Sequence, residues 1–219
     1  MVMAEATNHY FKHLGVSDGL SQVCIPSIYQ DELGAVWLGT TEGLNRYNGK
    51  DVKVFQPSES NHGLTNNEIN ELCGDKNGRM YIRSGNDLIK LDIYTEQFTC
   101  LRQKGVYGLF CKKDTLWVSC ADGIYYYTGQ GTELTFFARV QKGFVGRALY
   151  VDRETVWVVT RKYLVAISRE DPLRQEILLT LDKGNCILGD SSGNIWVGAW
   201  NGLYLSLIHI SEPTRPLYI

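Results

Sequence analysis

Proline is scarce in this chain, at 5 of 219 residues, and neither sign of charge is in excess: 22 basic and 24 acidic side chains leave a formal net charge of −2. Without a basic excess, nucleic acid and anionic membrane surfaces are not expected partners. No apolar run approaches the ~18–20 residues that a membrane-spanning helix needs. The six cysteines, at 24, 73, 100, 111, 120 and 186, contain no Cys-x-x-Cys pair, which excludes zinc ribbons and thioredoxin-type sites. A chain of this length with 44% hydrophobic residues does not need disulfides to fold. Several cysteines sit among apolar residues, as in Leu72-Cys73 and Phe110-Cys111, so small buried strand side chains are their expected role. No segment sustains an apolar stripe of period 3.6 over three turns, which excludes a helical solenoid. What the chain does have is 22 glycines, 13 tyrosines, 7 phenylalanines and 5 tryptophans, a composition that leans towards β structure.

The informative feature is internal repetition. Gly19-Leu20-Ser21 is followed by Ile25, Ile28, Asp31, Gly34, Trp37, Leu44 and Tyr47. Shifted by 44 residues, the pattern returns as Gly63-Leu64-Thr65, Ile69, Leu72, Asp75, Gly78, Tyr81, Leu88 and Leu91. The aromatic landmark returns again as Trp117, Trp157 and Trp196, at intervals of 36, 40 and 39 residues. Seven residues beyond each aromatic stands an aliphatic: Leu44, Leu88, Ile124, Leu164 and Leu203. The Asp-x-x-Gly before the aromatic is intact at Asp31/Gly34, Asp75/Gly78 and Asp190/Gly193. In the third copy Cys111 holds the Asp position, and in the fourth Asp152 lies one residue closer to Trp157, so these two turns are expected to be rebuilt.

Each unit reads as four strands. Ile25–Gln30, Ala35–Thr40, Gly43–Tyr47 and Val52–Gln56 are short alternating segments bounded by turn residues. In Asp-x-x-Gly the carboxylate can accept a backbone N–H two residues on, while the glycine takes the positive φ that closes the turn. One such bond contributes only ~0.5–1.5 kcal/mol net, but its repetition sets the register of the first hairpin in every unit. The aromatic residue that follows offers a large surface for packing between sheets. A four-stranded unit of about 40 residues is the size of one β-propeller blade, and blades must stack around an axis to bury both faces. The expected fold is therefore all-β, a β-propeller of about five four-stranded blades. The repeats fall near 19–56, 63–101, 105–140, 144–180 and 184–205.

No Trp-Asp dipeptide or paired glycine marks the units, so WD and kelch repeats do not fit, and five residues between Asp190 and Trp196 do not fit a sialidase-type Asp-box. The stretch from Ile25 to Tyr47, with Asp31, Gly34, Trp37-Leu38-Gly39-Thr40, Gly43-Leu44 and Arg46-Tyr47, closely resembles the two-component regulator propeller repeat. The lead-in, Tyr10-Phe11-Lys12-His13-Leu14 and then Asp18-Gly19-Leu20-Ser21, resembles the start of the periplasmic sensor region of Bacteroidetes hybrid two-component histidine kinases. That resemblance implies two seven-bladed periplasmic propellers, then a β-sandwich, a membrane helix, a kinase and a receiver, with glycan breakdown products as the signal and carbohydrate-utilisation genes as the output. It implies an oligosaccharide ligand, the remaining blades and downstream domains as partners, a homodimeric parent, no cofactor and no catalysis by this segment. It also favours reading Ala4-Glu5-Ala6, an A-x-A pattern without the preceding apolar core, as the remnant of a signal-peptide cleavage site, with 1–9 a leader remnant or linker.

Two alternatives stand beside the sensor: a propeller lyase or lactonase of the streptogramin-lyase type, and a non-catalytic interaction propeller. The lyase would need a carboxylate-and-histidine metal site on the axis, and His9, His13, His62 and His209 are misplaced for it. Gly15-Val16-Ser17-Asp18-Gly19 matches the nucleophile-elbow pattern, which requires a strand before and a helix after. Here a strand pattern follows. Tyr125-Tyr126-Tyr127 alternates along a strand and reads as blade packing. Trp200, in the turn after the second strand of its unit, is the candidate for stacking on a sugar. Beyond Tyr204 the landmarks stop, and 206–219, similar to translated sequencing-adapter DNA, reads as a non-native tail. A stack of five blades would leave unpaired sheet edges, so the chain alone is expected to be marginally stable.

Overall fold

The computed structural model describes residues 12–57 and 63–206. Five antiparallel sheets follow one another along the chain. The first contains β1 (Ser27–Gln30), β2 (Val36–Thr40), β3 (Gly43–Tyr47) and β4 (Val52–Phe55). The second contains β5 (Ile69–Gly74), β6 (Arg79–Ser84), β7 (Asp87–Asp92) and β8 (Gln97–Arg102). The third is built from β9 (Val106–Lys112), β10 (Thr115–Cys120), β11 (Gly123–Tyr127) and β12 (Thr135–Ala138). The fourth comprises β13 (Gly146–Val151), β14 (Thr155–Thr160), β15 (Tyr163–Ser168) and β16 (Gln175–Thr180). The fifth has β17 (Gly184–Gly189), β18 (Ile195–Ala199) and β19 (Gly202–Ser206) among the described residues. Every sheet pairs its strands in chain order, as the blades of a propeller do.

Four apolar layers lie between the five blades, and each is anchored by the repeat landmarks. Trp37 and Leu44 of blade one pack on Ile69, Met80 and Ile82 of blade two. Tyr81 and Leu88 pack on Val106, Leu116 and Val118. Trp117 and Ile124 meet Leu149, Val156 and Val158, and Trp157 and Leu164 meet Ile195 and Val197. Within a second strand, then, the landmark aromatic points forward to the next blade while its two neighbours point back, as a period of two requires. The aliphatic residue seven positions on shares the aromatic's face because the hairpin reverses the chain. Trp37 pairs with Arg46, and Leu44 stands two residues from Arg46. Tyr125 and Tyr127 face blade two while Tyr126 faces blade four, the alternation expected of that strand.

The landmark turns form as anticipated, with Gly34, Gly78 and Gly193 at φ of +85°, +81° and +85°. The lead-in differs from expectation. Residues 12–26 contain no strand; Val16–Asp18 is a single 3-10 turn, so the nucleophile-elbow geometry is absent there. Leu20 is buried, and the Ser21 N–H donates to Asn45 Oδ1 at 2.9 Å, so this segment docks on blade one. Tyr10 and Phe11, the Ala4-Glu5-Ala6 pattern and the 207–219 part of the tail lie outside the described residues. All six cysteines are free, but the burial expected of them is complete only at Cys120, and Cys24 and Cys186 are exposed. Cys24 lies in the strandless lead-in, and the period of two in β17 turns Cys186 outward.

Candidate functional site

The Asp–aromatic landmark proves to be a structural cap. Asp31 is buried, and its Oδ1 accepts the N–H groups of Leu33 (3.0 Å) and Ala35 (2.8 Å). Its Oδ2 accepts the indole N–H of Trp37 at 2.8 Å, a bond the turn motif alone does not reveal. Asp190 repeats the arrangement, with the indole of Trp196 (3.0 Å) and the Asn194 amide holding its pKa down to about 2. In blade four Asp152 achieves the same bond to Trp157 at 2.7 Å from one residue closer, without a glycine. Blade two has Tyr81, which offers no indole donor, and there Arg79 pairs with Asp75 Oδ2 instead. A buried carboxylate needs such donors, and a buried indole N–H needs an acceptor. These residues hold the hairpins and touch no cleft; Trp117 of blade three likewise serves packing.

The hairpin turn after the second strand is held by a different device. Thr40 and Thr160 end their second strands, and each hydroxyl accepts backbone N–H groups of the following hairpin turn, those of Glu42 and of Lys162 and Tyr163. Each also donates to a carbonyl across the turn, Gly43 O at 2.9 Å and Tyr163 O at 3.1 Å. The turn side chains of blades one and four are thereby held in place. Aligned by the repeat, these turns read Thr41-Glu42, Gly85-Asn86, Ala121-Asp122, Arg161-Lys162 and Trp200-Asn201. Small, acidic and amide residues occupy blades one to three, Arg161 and Lys162 blade four, and Trp200 and Asn201 blade five.

The innermost strands β1, β5, β9, β13 and β17 all border one axial cleft of about 670 Å³, lined among others by Ser27, Asn70, Glu71, Tyr107, Arg147 and Asn185. Glu71 accepts the Leu109 N–H at 3.1 Å and meets Arg83 Nε at 3.4 Å. Burial pushes its carboxyl up to about 7 against the opposing pull of Arg83 and that backbone bond. Two further clefts adjoin. One of about 470 Å³ lies between blades four and five, bordered by Arg147, Arg161, Lys183, Asn185 and Trp200. The other, about 380 Å³, is bordered by Tyr107, Phe144, Arg147, Arg161 and Lys162. Arg147 is common to all three.

Trp200 stands where the repeat spacing predicts, in the β18–β19 hairpin turn, and 78% of its surface is exposed. Lys183 Nζ lies over its ring, 4.8 Å from the centroid. Among the described residues, Arg147, Arg161 and Lys183 have no carboxylate partner. An exposed indole flanked by uncompensated cations and amides can stack on a sugar ring and pair with anionic or hydroxyl groups. Sequence reasoning singled out Trp200 but not the residues beside it and along the axial cleft, Arg147, Arg161, Lys183 and Glu71. The signal was present for Arg161, in the charge switch at the aligned turns; for Glu71 and Arg147, single residues in ordinary strands, no local signal existed. Among the described residues, no three His, Cys, Asp or Glu side chains converge as a metal site would require.

Residues 19–42 match the family model for the two component regulator propeller. A 53-residue stretch, 24% of the chain, is 40% identical to histidine kinase P4 of Formosa agariphila and spans 4% of that protein. Among solved structures, the extracellular domain of a hybrid two component system from B. thetaiotaomicron aligns over 89% of this chain and 30% of its own length, with a TM-score of 0.77 and 23% identity. The extracellular domain of a one component system from the same organism aligns over 90% and 32%, with a TM-score of 0.74 and 19% identity. The chain thus spans about a third of either domain, and at these identities the likeness is one of fold.

Proposed function

We propose, from the premise that this chain is built on the two-component regulator propeller repeat, that it is the ligand-reading part of a hybrid two-component sensor. In this reading the sensor faces the periplasm and its ligand is an oligosaccharide. Binding on the propeller face rearranges blades and downstream domains, and the signal passes to a kinase elsewhere in the parent protein. The observation that carries the proposal is the exposed indole of Trp200 beside Arg147, Arg161, Lys183 and Asn185, at the rim of a cleft continuous with the axial one. Ligand clefts combine a stacking or apolar wall with a few convergent polar groups, and this rim has both. Its three cations favour a glycan carrying carboxylate or sulfate groups over a neutral one.

The test is calorimetric titration of the chain with neutral oligosaccharides and with oligosaccharides of uronic acids or sulfated sugars. Binding by the acidic set, lost on Trp200→Ala and weakened by added salt, is the expected result. Saturable binding of neutral sugars alone would retain the sensor but refute the anionic preference. No binding by either set would refute the glycan reading and leave the interaction propeller as the better account.

A further inference from the structure

The third blade departs from the sequence alignment of the repeat: Phe110 pairs with Trp117, so the strand register puts Lys112, not Cys111, at the position of Asp31, Asp75 and Asp190. Cys111 lies near the end of β9, and its Sγ is 3.1 Å from the Sγ of Cys73 in β5. These are the innermost strands of blades two and three, and the two sulfurs sit half-buried at the edge of the apolar layer between those blades. No other copy places a thiol at either position: the strand register aligns Cys73 with Tyr29, Phe110, Tyr150 and Leu188, and Cys111 with Gln30, Gly74, Val151 and Gly189. A metal reading fails for want of further ligands among the described residues. Blade stacking brings these two positions together in other copies as well, with Tyr29 against Gly74 and Tyr150 against Gly189, but only between blades two and three do both carry a thiol.

We propose that Cys73 and Cys111 are a disulfide-forming pair, which cross-links blade two to blade three when the protein meets an oxidising compartment. The sulfurs need to approach by only about 1 Å to reach bonding distance, which side-chain rotation can supply. The co-reactant is a disulfide of the surroundings, a small dithio compound or a disulfide-exchange protein. The Cys111 thiolate attacks one of its sulfurs and expels a thiolate, leaving a mixed disulfide. Cys73 then gives up its proton and attacks the Cys111 sulfur, expelling the second thiolate. Two protein thiols are oxidised, one external disulfide is reduced to two thiols, and the two protons go to the departing sulfurs. Burial keeps the Cys73 thiol protonated, well above the usual thiol range, which suits it to the second, intramolecular step. The pairing is independent of what the propeller binds.

The test treats the folded full chain with oxidised glutathione, blocks free thiols with N-ethylmaleimide, and maps the protease-resistant fraction with trypsin. Each cysteine falls in its own tryptic peptide, Cys73 in 54–76 and Cys111 in 105–112. The expected result is a species joining 54–76 to 105–112, lighter than the separate thiol peptides by two hydrogens, with the other four cysteines alkylated or carrying glutathione. Its melting midpoint should fall on reduction in the native chain and be indifferent to reductant in Cys73→Ser. Alkylation of both Cys73 and Cys111 in the folded, oxidant-treated chain would overturn the proposal, as would either one pairing with another cysteine.

Discussion

Replacing Asp31 by alanine should be far more damaging than the same change at Asp190, although the two residues occupy one position of the repeat. In blade one the change strands the Trp37 indole N–H and the Ala35 N–H, both buried, while Leu33 is exposed and its N–H can turn to water. A buried donor left without a partner costs about 1–3 kcal/mol, so two give about 4 kcal/mol. For a chain of this size that corresponds to a fall of roughly 8–16 °C in melting midpoint. In blade five Trp196 is half-exposed, solvent replaces the lost acceptor, and the fall should be less than half as large. Circular dichroism is the suitable probe, because the control variant alters a tryptophan. In a Trp37→Phe background the indole donor is already gone, and Asp31→Ala should then cost about half as much. Equal losses at Asp31 and Asp190, or an Asp31→Ala effect unchanged by Trp37→Phe, would refute the account of the landmark as a carboxylate–indole cap.

Other expectations follow from the same geometry. Because the Glu71 carboxyl is pushed up to about 7 from an ordinary 4.5, the native state holds more protons than the unfolded chain in that window. Stability should therefore fall as pH rises from about 5 through 7, and melting curves of Glu71→Gln should lack that slope. A β-carbon on Gly189 would lie 2.0 Å from Tyr150 Cζ, and that ring is held edge-on against Phe110 at 5.2 Å. Gly189→Ala should cost about 1–3 kcal/mol by overpacking, with partial recovery in combination with Tyr150→Ala, as read by urea midpoints. Trp200→Ala should leave the melting midpoint unchanged, since the ring is exposed, while abolishing glycan binding in the titration described above. The Cys73–Cys111 link would close a span of 38 residues, for which chain entropy suggests about 4 kcal/mol of stabilisation, measurable as the midpoint difference between oxidised and reduced chain.

The blade was legible in the sequence because everything that makes a blade is local. Strand length, the Asp-x-x-Gly turn and the spacing from Trp37 to Leu44 all lie within one hairpin, and β2 and β3 formed at the anticipated residues to within one position. Asp152 shows the limit of pattern matching even there. Its altered spacing reads only as a rebuilt turn, and the sequence does not reveal that the shorter turn still brings the carboxylate to the indole of Trp157. The cysteines show a second limit, since Cys24 is exposed in the strandless lead-in and Cys186 because β17 turns it outward, and neither outcome depends on its neighbours in the chain.

The sequence by itself determined the repeat, the number of blades in this stretch and the aromatic that seals each blade against the next. Those features rest on side-chain alternation and turn chemistry, which act over a few residues and need no knowledge of distant partners. Only the tertiary structure decided which residues meet around the axis: Glu71 with Arg83 and the Leu109 backbone, Arg147 with Arg161 and the rim of Trp200, and the sulfur of Cys73 with that of Cys111. Most of these partners are a blade's length apart in the chain. They come together because each first strand lies nearest the axis, so that turning one blade against the next places residues a whole repeat apart side by side.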